Sequence, residues 1–235
     1  LTSPHRSSQP ARRFGARAVL ALVALALVAV PFGLLLFLVQ SSWDPLLDVD
    51  EGARDELHGY AAGHPAFVTA MKVLSTIGSA PVYLVAFAAL AAWLAWRGRR
   101  RLALFVVVAM AGGSLLNGLV KLAVHRARPV LPDPVAHANG LSFPSGHAQS
   151  AMVAACVLLL VFLPALRGAA RAAAVVVAAV AVLAIGFSRV ALGVHFASDV
   201  VAGYVLGAAW VAALTALFTA WRREQRRPPA RAAGP

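Results

Sequence analysis

Apolar residues run through this chain in long blocks instead of alternating with polar ones. Six stretches, 18–39, 73–96, 102–120, 148–166, 172–188 and 200–221, contain no Asp, Glu, Lys or Arg. Each has the length, about 17–25 residues, that a helix needs to cross the hydrocarbon core of a bilayer. Ala, Leu and Val dominate them, so a 3.6-residue stripe is weak, as expected of helices with lipid on one side and other helices on the other. Strands are disfavoured, because an open sheet edge in lipid leaves backbone groups unsatisfied. The pattern predicts an all-α, polytopic membrane protein with six transmembrane helices in one bundle over 18–221. The first stretch follows Arg12, Arg13 and Arg17, as a signal peptide would. Its apolar part exceeds the usual h-region of about 7–15 residues, and no small-residue cleavage site stands before Gln40. It reads as an uncleaved first helix.

Composition agrees. Of 235 residues, 60% are hydrophobic and 13% charged, against about 25% charged in soluble domains; this excludes a disordered chain and argues against a water-soluble globule. The single cysteine, Cys156, excludes an intramolecular disulfide framework and a zinc–thiolate cluster. The net charge of +12 would suggest nucleic acid if the charges were clustered on a soluble fold. They sort by connection instead. Fifteen of the 21 basic residues lie before the first stretch, after the sixth, or in the second and fourth connections. The positive-inside rule puts these in the cytoplasm, with both termini, and makes the chain multi-pass in the plasma membrane. The basic tails 1–17 and 222–235 are expected to be disordered anchors near anionic headgroups. The acidic connection 40–65, with Asp44, Asp48, Asp50, Glu51, Asp55 and Glu56, reads as a solvated outer loop, with a short interfacial helix as the alternative.

The opposite face holds Arg54, Lys72, Lys121, Arg126, Arg128 and Arg189, and four of these crowd two short segments. One runs from Lys121 through Arg128-Pro129 to Pro144-Ser145-Gly146-His147; the other is Ser188-Arg189, His195 and Asp199. They fall in the third and fifth connections, which emerge on the same side of a six-helix chain whatever its orientation. Cations gathered at a membrane boundary repel one another unless an anion joins them. Arginine offers a planar fork that matches phosphate oxygens, and lysine a point charge. Ser145 and Gly146 open the fourth stretch, where free N–H groups and the helix dipole favour an anion. His195 and Asp199 are four apart, so on a helix the carboxylate fixes one ring nitrogen and leaves the other free. Such an imidazole is a nucleophile or base, and His147 a candidate general acid. Arg126 is a candidate phosphate contact or a headgroup anchor. Asn117 reads as a helix–helix hydrogen bond, Lys72 as a snorkelling end residue, His58, His64 and His137 as polar end groups, and His125 as a spacer. A metal held by His147, His195 and Asp199 is disfavoured, since the neighbouring cations repel a divalent ion.

These residues resemble the signature of the type 2 phosphatidic acid phosphatase superfamily: K-x6-R-P at Lys121…Arg128-Pro129, P-S-G-H at Pro144–His147, and S-R-x5-H-x3-D at Ser188-Arg189…His195…Asp199. The resemblance covers about 102–203 in detail and the rest by helix count. It implies that Lys121, Arg128, Ser145, Gly146 and Arg189 hold a phosphate, that His195 attacks phosphorus to give a phosphohistidine, that Asp199 orients it, and that His147 protonates the leaving oxygen. It implies no metal or other cofactor. The expected partner is a lipid phosphate or diphosphate, such as phosphatidate, phosphatidylglycerophosphate or a polyprenyl diphosphate, met at an extracytoplasmic site. Two rivals stay open: a lipid phosphotransferase using the same residues, and a non-catalytic anion-binding membrane protein. Oligomeric state is not written in the sequence.

Overall fold

A computed structural model describes residues 29–224, and every regular element in it is helical. In chain order these are α1 (Ala29–Gln40), α2 (Asp44–Gly63), α3 (Pro65–Ile77), α4 (Ala80–Trp96), α5 (Arg100–Val124), α6 (Gly146–Phe162) with a 3₁₀ turn at Leu163–Ala165, α7 (Gly168–Ala191) and α8 (Ala197–Glu224). Five stretches are long and apolar enough to cross a membrane: Pro65–Trp96, Arg100–Val124, Gly146–Ala165, Gly168–Ala191 and Ala197–Thr219. They match the second to sixth predicted stretches. A sixth exists if α1 and α2, which meet at 88°, count as one broken span. The part of the first stretch at 18–28, the tail 1–17 and residues 225–235 lie outside the described residues; α8 runs three residues into the expected C-terminal tail. Leu84, Leu115, Val177 and Leu217 are exposed, the lipid-facing side of their helices.

The structure corrects the expected solvated loop at 40–65, which is mostly the 20-residue helix α2. Pro45 is placed in its first turn, where a missing N–H costs nothing. Leu46, Asp50, Ala53, Leu57 and Ala61 recur every three or four residues and make one stripe. Leu46 meets a cluster with Phe143, while Ala53 and Leu57 pack on Ala148, Val190 and Val200. The acidic residues that made the segment look like a loop lie mainly on the other face, Asp50 excepted.

Helix α6 sits at the centre, packed on α5, α7 and α8. Its contact with α8 is backbone to backbone. A Cβ added at Gly203 would lie 2.6 Å from the Ser145 carbonyl oxygen, and one at Gly207 2.8 Å from that of Gln149. Small residues one turn apart let membrane helices approach this closely. Polar ties brace the bundle: Gln149 Nε2 donates to the Gly113 carbonyl at 2.8 Å, Asn117 Nδ2 to Gln149 Oε1 at 2.5 Å, and Trp210 Nε1 to the Ala109 carbonyl at 2.8 Å. The crossing fixes Ser145 against α8. Gly203→Val is therefore expected to cost about 1–3 kcal/mol through overpacking. It should lower the detergent-solubilised melting temperature; an unchanged melting temperature would show that the helices part freely.

Candidate active site

The connections α5–α6 and α7–α8 meet at one end of the bundle. His125, at φ 54°, closes α5 with its N–H on the Lys121 carbonyl at 3.0 Å. The chain then crosses the helix ends to the Phe143–Pro144 peptide, which is cis, and enters α6 through Ser145. The second connection turns at Gly193, whose φ of 67° suits a residue without a Cβ. Ser145 N–H joins the two by donating to the Asp199 carbonyl at 2.9 Å, and within the second connection His195 N–H donates to the Arg189 carbonyl at 3.3 Å.

His195 lies just before α8 and is 2% exposed. Its Nδ1 faces Asp199 Oδ2 at 3.3 Å and Ser142 Oγ at 3.4 Å; its Nε2 faces Arg128 Nη1 at 3.1 Å. An arginine N–H can only donate, so Nε2 presents its lone pair and the ring proton sits on Nδ1 toward the carboxylate. Asp199 is fully buried and saturated with donors. Oδ2 accepts from Ser142 Oγ and from Phe196 N–H at 3.0 Å; Oδ1 accepts from Arg126 Nη1 at 2.7 Å. The Phe196 bond is the reach of a first-turn acid back to the helix start.

Burial holds the His195 pKa down at about 4, against partial opposition from Asp199 and with help from the positive charges of Arg128 and Arg189. Above that value the ring is neutral and its lone pair is available; below it the ring is protonated and the lone pair is lost. Histidine-labelled NMR in micelles, with His195 assigned by substitution, should show this ring neutral at pH 6 and titrating near 4. A midpoint near 6.5 would mean that the ring is solvated. Arg128 is likewise lowered by burial.

The cations surround this imidazole. Arg128 Nε donates to the Asn139 and Gly140 carbonyls at 3.2 and 3.0 Å, and Nη1 to that of Val194 at 2.7 Å. Lys121 Nζ donates to the Leu141 and Ser142 carbonyls at 2.5 and 3.1 Å and lies within electrostatic reach of Arg128 and Asp199. Arg189, 7% exposed, donates through Nη1 to Ser75 Oγ. The backbone of Ser75 also hydrogen-bonds the His147 ring, which feels the charges of Arg189, His195 and Arg128. Among the described residues, two buried atoms here have no hydrogen-bond partner, Ser145 Oγ and Arg189 Nε. Buried polar atoms are rarely left so, and a hydroxyl and a guanidinium N–H orphaned together fit an oxyanion. Gly146 keeps the helix start open: a Cβ there would touch only Asn117, with its nearest atom at 3.4 Å.

The eight residues to which the resemblance assigns a role thus converge. Arg126 lies elsewhere in the network: its guanidinium is engaged by Asp199, Ser198 Oγ at 2.7 Å and Asp50 Oδ2 at 2.8 Å, and lies 4.3 Å over the Phe196 ring. Sequence reasoning missed Ser142, Ser75, Ser198 and Asp50. Ser142 stands two residues before Pro144 and could have been suspected; the other three had no spacing to betray them.

The model of the PAP2 superfamily matches residues 102–223. The chain is 40% identical over 99 residues to phosphatidylglycerophosphatase B of Bacillus subtilis, covering 40% of this chain and 46% of that protein. It is 36% identical over 148 residues to decaprenylphosphoryl-5-phosphoribose phosphatase of Mycolicibacterium smegmatis, covering 60% of this chain and 74% of that protein. The alignment thus spans under half the length of the first relative and about three quarters of the second. In fold, the chain is similar to a crystal structure of a transmembrane PAP2-type phosphatidylglycerolphosphate phosphatase from Bacillus subtilis, with a TM-score of 0.70 and 23% identity, over 86% of this chain and 98% of that one.

Proposed function

The chain belongs to the PAP2 superfamily, and from that premise we propose that it is a membrane phosphatase that hydrolyses a lipid phosphate or diphosphate through a phosphohistidine on His195. The observation that carries this reading is the placement of the His195 ring, with Nδ1 3.3 Å from Asp199 Oδ2 and Nε2 3.1 Å from Arg128 Nη1. Arg128, Arg189, Lys121, Ser145 Oγ and the α6 N-terminus would bind the phosphoryl oxygens. Nε2 would attack phosphorus as the P–O bond to the lipid breaks, and His147 would protonate the departing oxygen. Water would then attack the phosphohistidine, giving its proton to His147; the P–N bond breaks and phosphate leaves. Phosphoryl transfer depends mostly on positioning and on stabilising charge at the equatorial oxygens. Three side-chain cations and a helix start supply that charge without a divalent ion.

A lipid substrate follows from the site's place at the end of membrane-spanning helices, where a headgroup arrives by lateral diffusion while its tail stays in the bilayer. The names of the two relatives put phosphatidylglycerophosphate and a polyprenyl phosphoribose phosphate on the panel to try first. The arginine distribution supports cytoplasmic termini and an extracytoplasmic site. Purified protein in mixed micelles should release phosphate from at least one of these lipids, equally with and without EDTA, and vanadate should inhibit it. Loss of turnover in EDTA would overturn the metal-free mechanism. Phosphate release only when a second lipid or sugar acceptor is supplied would make it a phosphotransferase.

A further inference from the structure

The signature and the matched family model both lie C-terminal to residue 101, yet a side chain from α2 reaches the catalytic carboxylate's other partner. We propose that Asp50 is a positioning residue for phosphoryl transfer: from α2 it holds Arg126 and the first turn of α8 in the arrangement that presents Asp199 to His195. The inference rests on the hydrolase reading above.

Asp50 is fully buried, and among the described residues its hydrogen bonds go to Ser198 and Arg126. Oδ1 accepts the Ser198 N–H at 2.8 Å. Oδ2 accepts the Ser198 hydroxyl at 2.5 Å and Arg126 Nη2 at 2.8 Å. Ser198 lies in the first turn of α8, where N–H groups have no partner within the helix. Asp50 therefore caps α8 from a different helix, one residue from Asp199. Arg126 bridges the two carboxylates, with Nη2 on Asp50 and Nη1 on Asp199 Oδ1. A planar fork held at both ends fixes the rotation of the Asp199 carboxylate, and so the direction in which Oδ2 meets the imidazole.

Charge gives a second reason. As Nε2 bonds to phosphorus, the imidazole becomes positive, and Asp199 must stabilise it. Arg126, ion-paired to Asp199, draws on that carboxylate's charge. A second carboxylate on the same guanidinium restores negative charge to the network. Asp50 touches none of the groups that would bind phosphate, so its effect belongs in kcat and not in KM. Docking of α2 does not require it: Leu46, Ala53 and Leu57 already bury the helix against its neighbours.

The test uses the full chain in mixed micelles with phosphatidylglycerophosphate, or whichever lipid phosphate wild type hydrolyses. Asp50→Asn keeps the shape but puts an NH₂ opposite either Arg126 or the Ser198 N–H. It should lower kcat on the order of 10²-fold with KM within about twofold. Asp50→Asn with Arg126→Gln should lose much less than the product of the two single losses. Leu57→Ala, which removes apolar contact of α2 but no hydrogen bond of the network, should keep near-wild-type kcat at a comparable drop in melting temperature. If Asp50→Asn does not fold, Ser198→Ala, which removes the hydroxyl bonded to both Asp50 and Arg126, must carry the kcat loss at unchanged KM. Wild-type kcat in the variant that folds, multiplicative losses, or Leu57→Ala matching Asp50→Asn would overturn the inference while leaving the hydrolase reading intact, provided His195→Ala is inactive alongside. No phosphate release by wild type from any lipid would overturn both.

Discussion

His195→Ala is expected to lower phosphate release by about 10³-fold or more and to leave no phosphoryl group on the protein. The ring is 2% exposed and no other described imidazole is bonded to a buried carboxylate, so nothing nearby can take its place. Alanine removes the nucleophile and also releases Arg128 Nη1 and Asp199 Oδ2 from one partner each, but both keep others: Val194 carbonyl for the first, Ser142 and Phe196 N–H for the second. The protein should therefore fold. The measurement is a rapid alkaline quench of wild type and variant with substrate labelled at the transferred phosphate, since a phosphohistidine survives base and not acid. Label on wild type and none on the variant supports the mechanism. Equal turnover would remove His195 as nucleophile, and label retained by the variant would place the covalent step on another residue.

Asp199→Asn should cost about 10²–10⁴-fold in kcat, by the logic that makes a misplaced tautomer so damaging in serine hydrolases. Asparagine matches the volume of aspartate but replaces one acceptor oxygen with two N–H donors. Here every neighbour of both oxygens donates: Arg126 on Oδ1, and Ser142, Phe196 N–H and the His195 ring on Oδ2. If the amide nitrogen takes the Oδ1 position it faces a guanidinium; in the Oδ2 position it faces a backbone N–H and forces the imidazole proton onto Nε2, which abolishes the lone pair aimed at phosphorus. Either way the buried carboxylate charge is gone. KM should change far less than kcat, and the purified variant should keep its helical circular dichroism. A variant with KM raised and kcat intact would mean that Asp199 serves binding and not the nucleophile.

The spans were legible because lipid imposes a length and an apolar content that no other environment demands, and 73–96 to 200–221 satisfied both. The convergence of His147, Arg189 and His195 was legible from parity of connections and motif spacing. Residues 40–65 were legible only as a loop, with a short interfacial helix as the second choice. Their stripe of Leu46, Ala53, Leu57 and Ala61 has helical period, but its centre is Asp50, and an acid there breaks the apolar pattern that identifies an amphipathic helix. The burial that makes Asp50 acceptable comes from Arg126 and Ser198, more than seventy positions away, and no local pattern carries it. Arg126 was ambiguous for the same reason: a guanidinium suits phosphate and carboxylate alike, and only the fold brings the carboxylates to it. His195 and Asp199 meet across the start of α8 instead of along one helical face, because the 193–196 turn brings the ring back over the first turn.

Ser75 has no place in any motif, yet it sits between Arg189 and the His147 ring, delivered by α3 just ahead of the break at Gly78–Ser79. Grafting the three signature segments onto a host bundle would transfer every proposed reacting group and leave behind the residue that links His147, the proposed general acid, to Arg189. Such a chimaera should bind vanadate better than it turns over lipid. The proposed phosphate cradle would travel with the signature; the alignment of the proposed proton donor would stay with the donor scaffold.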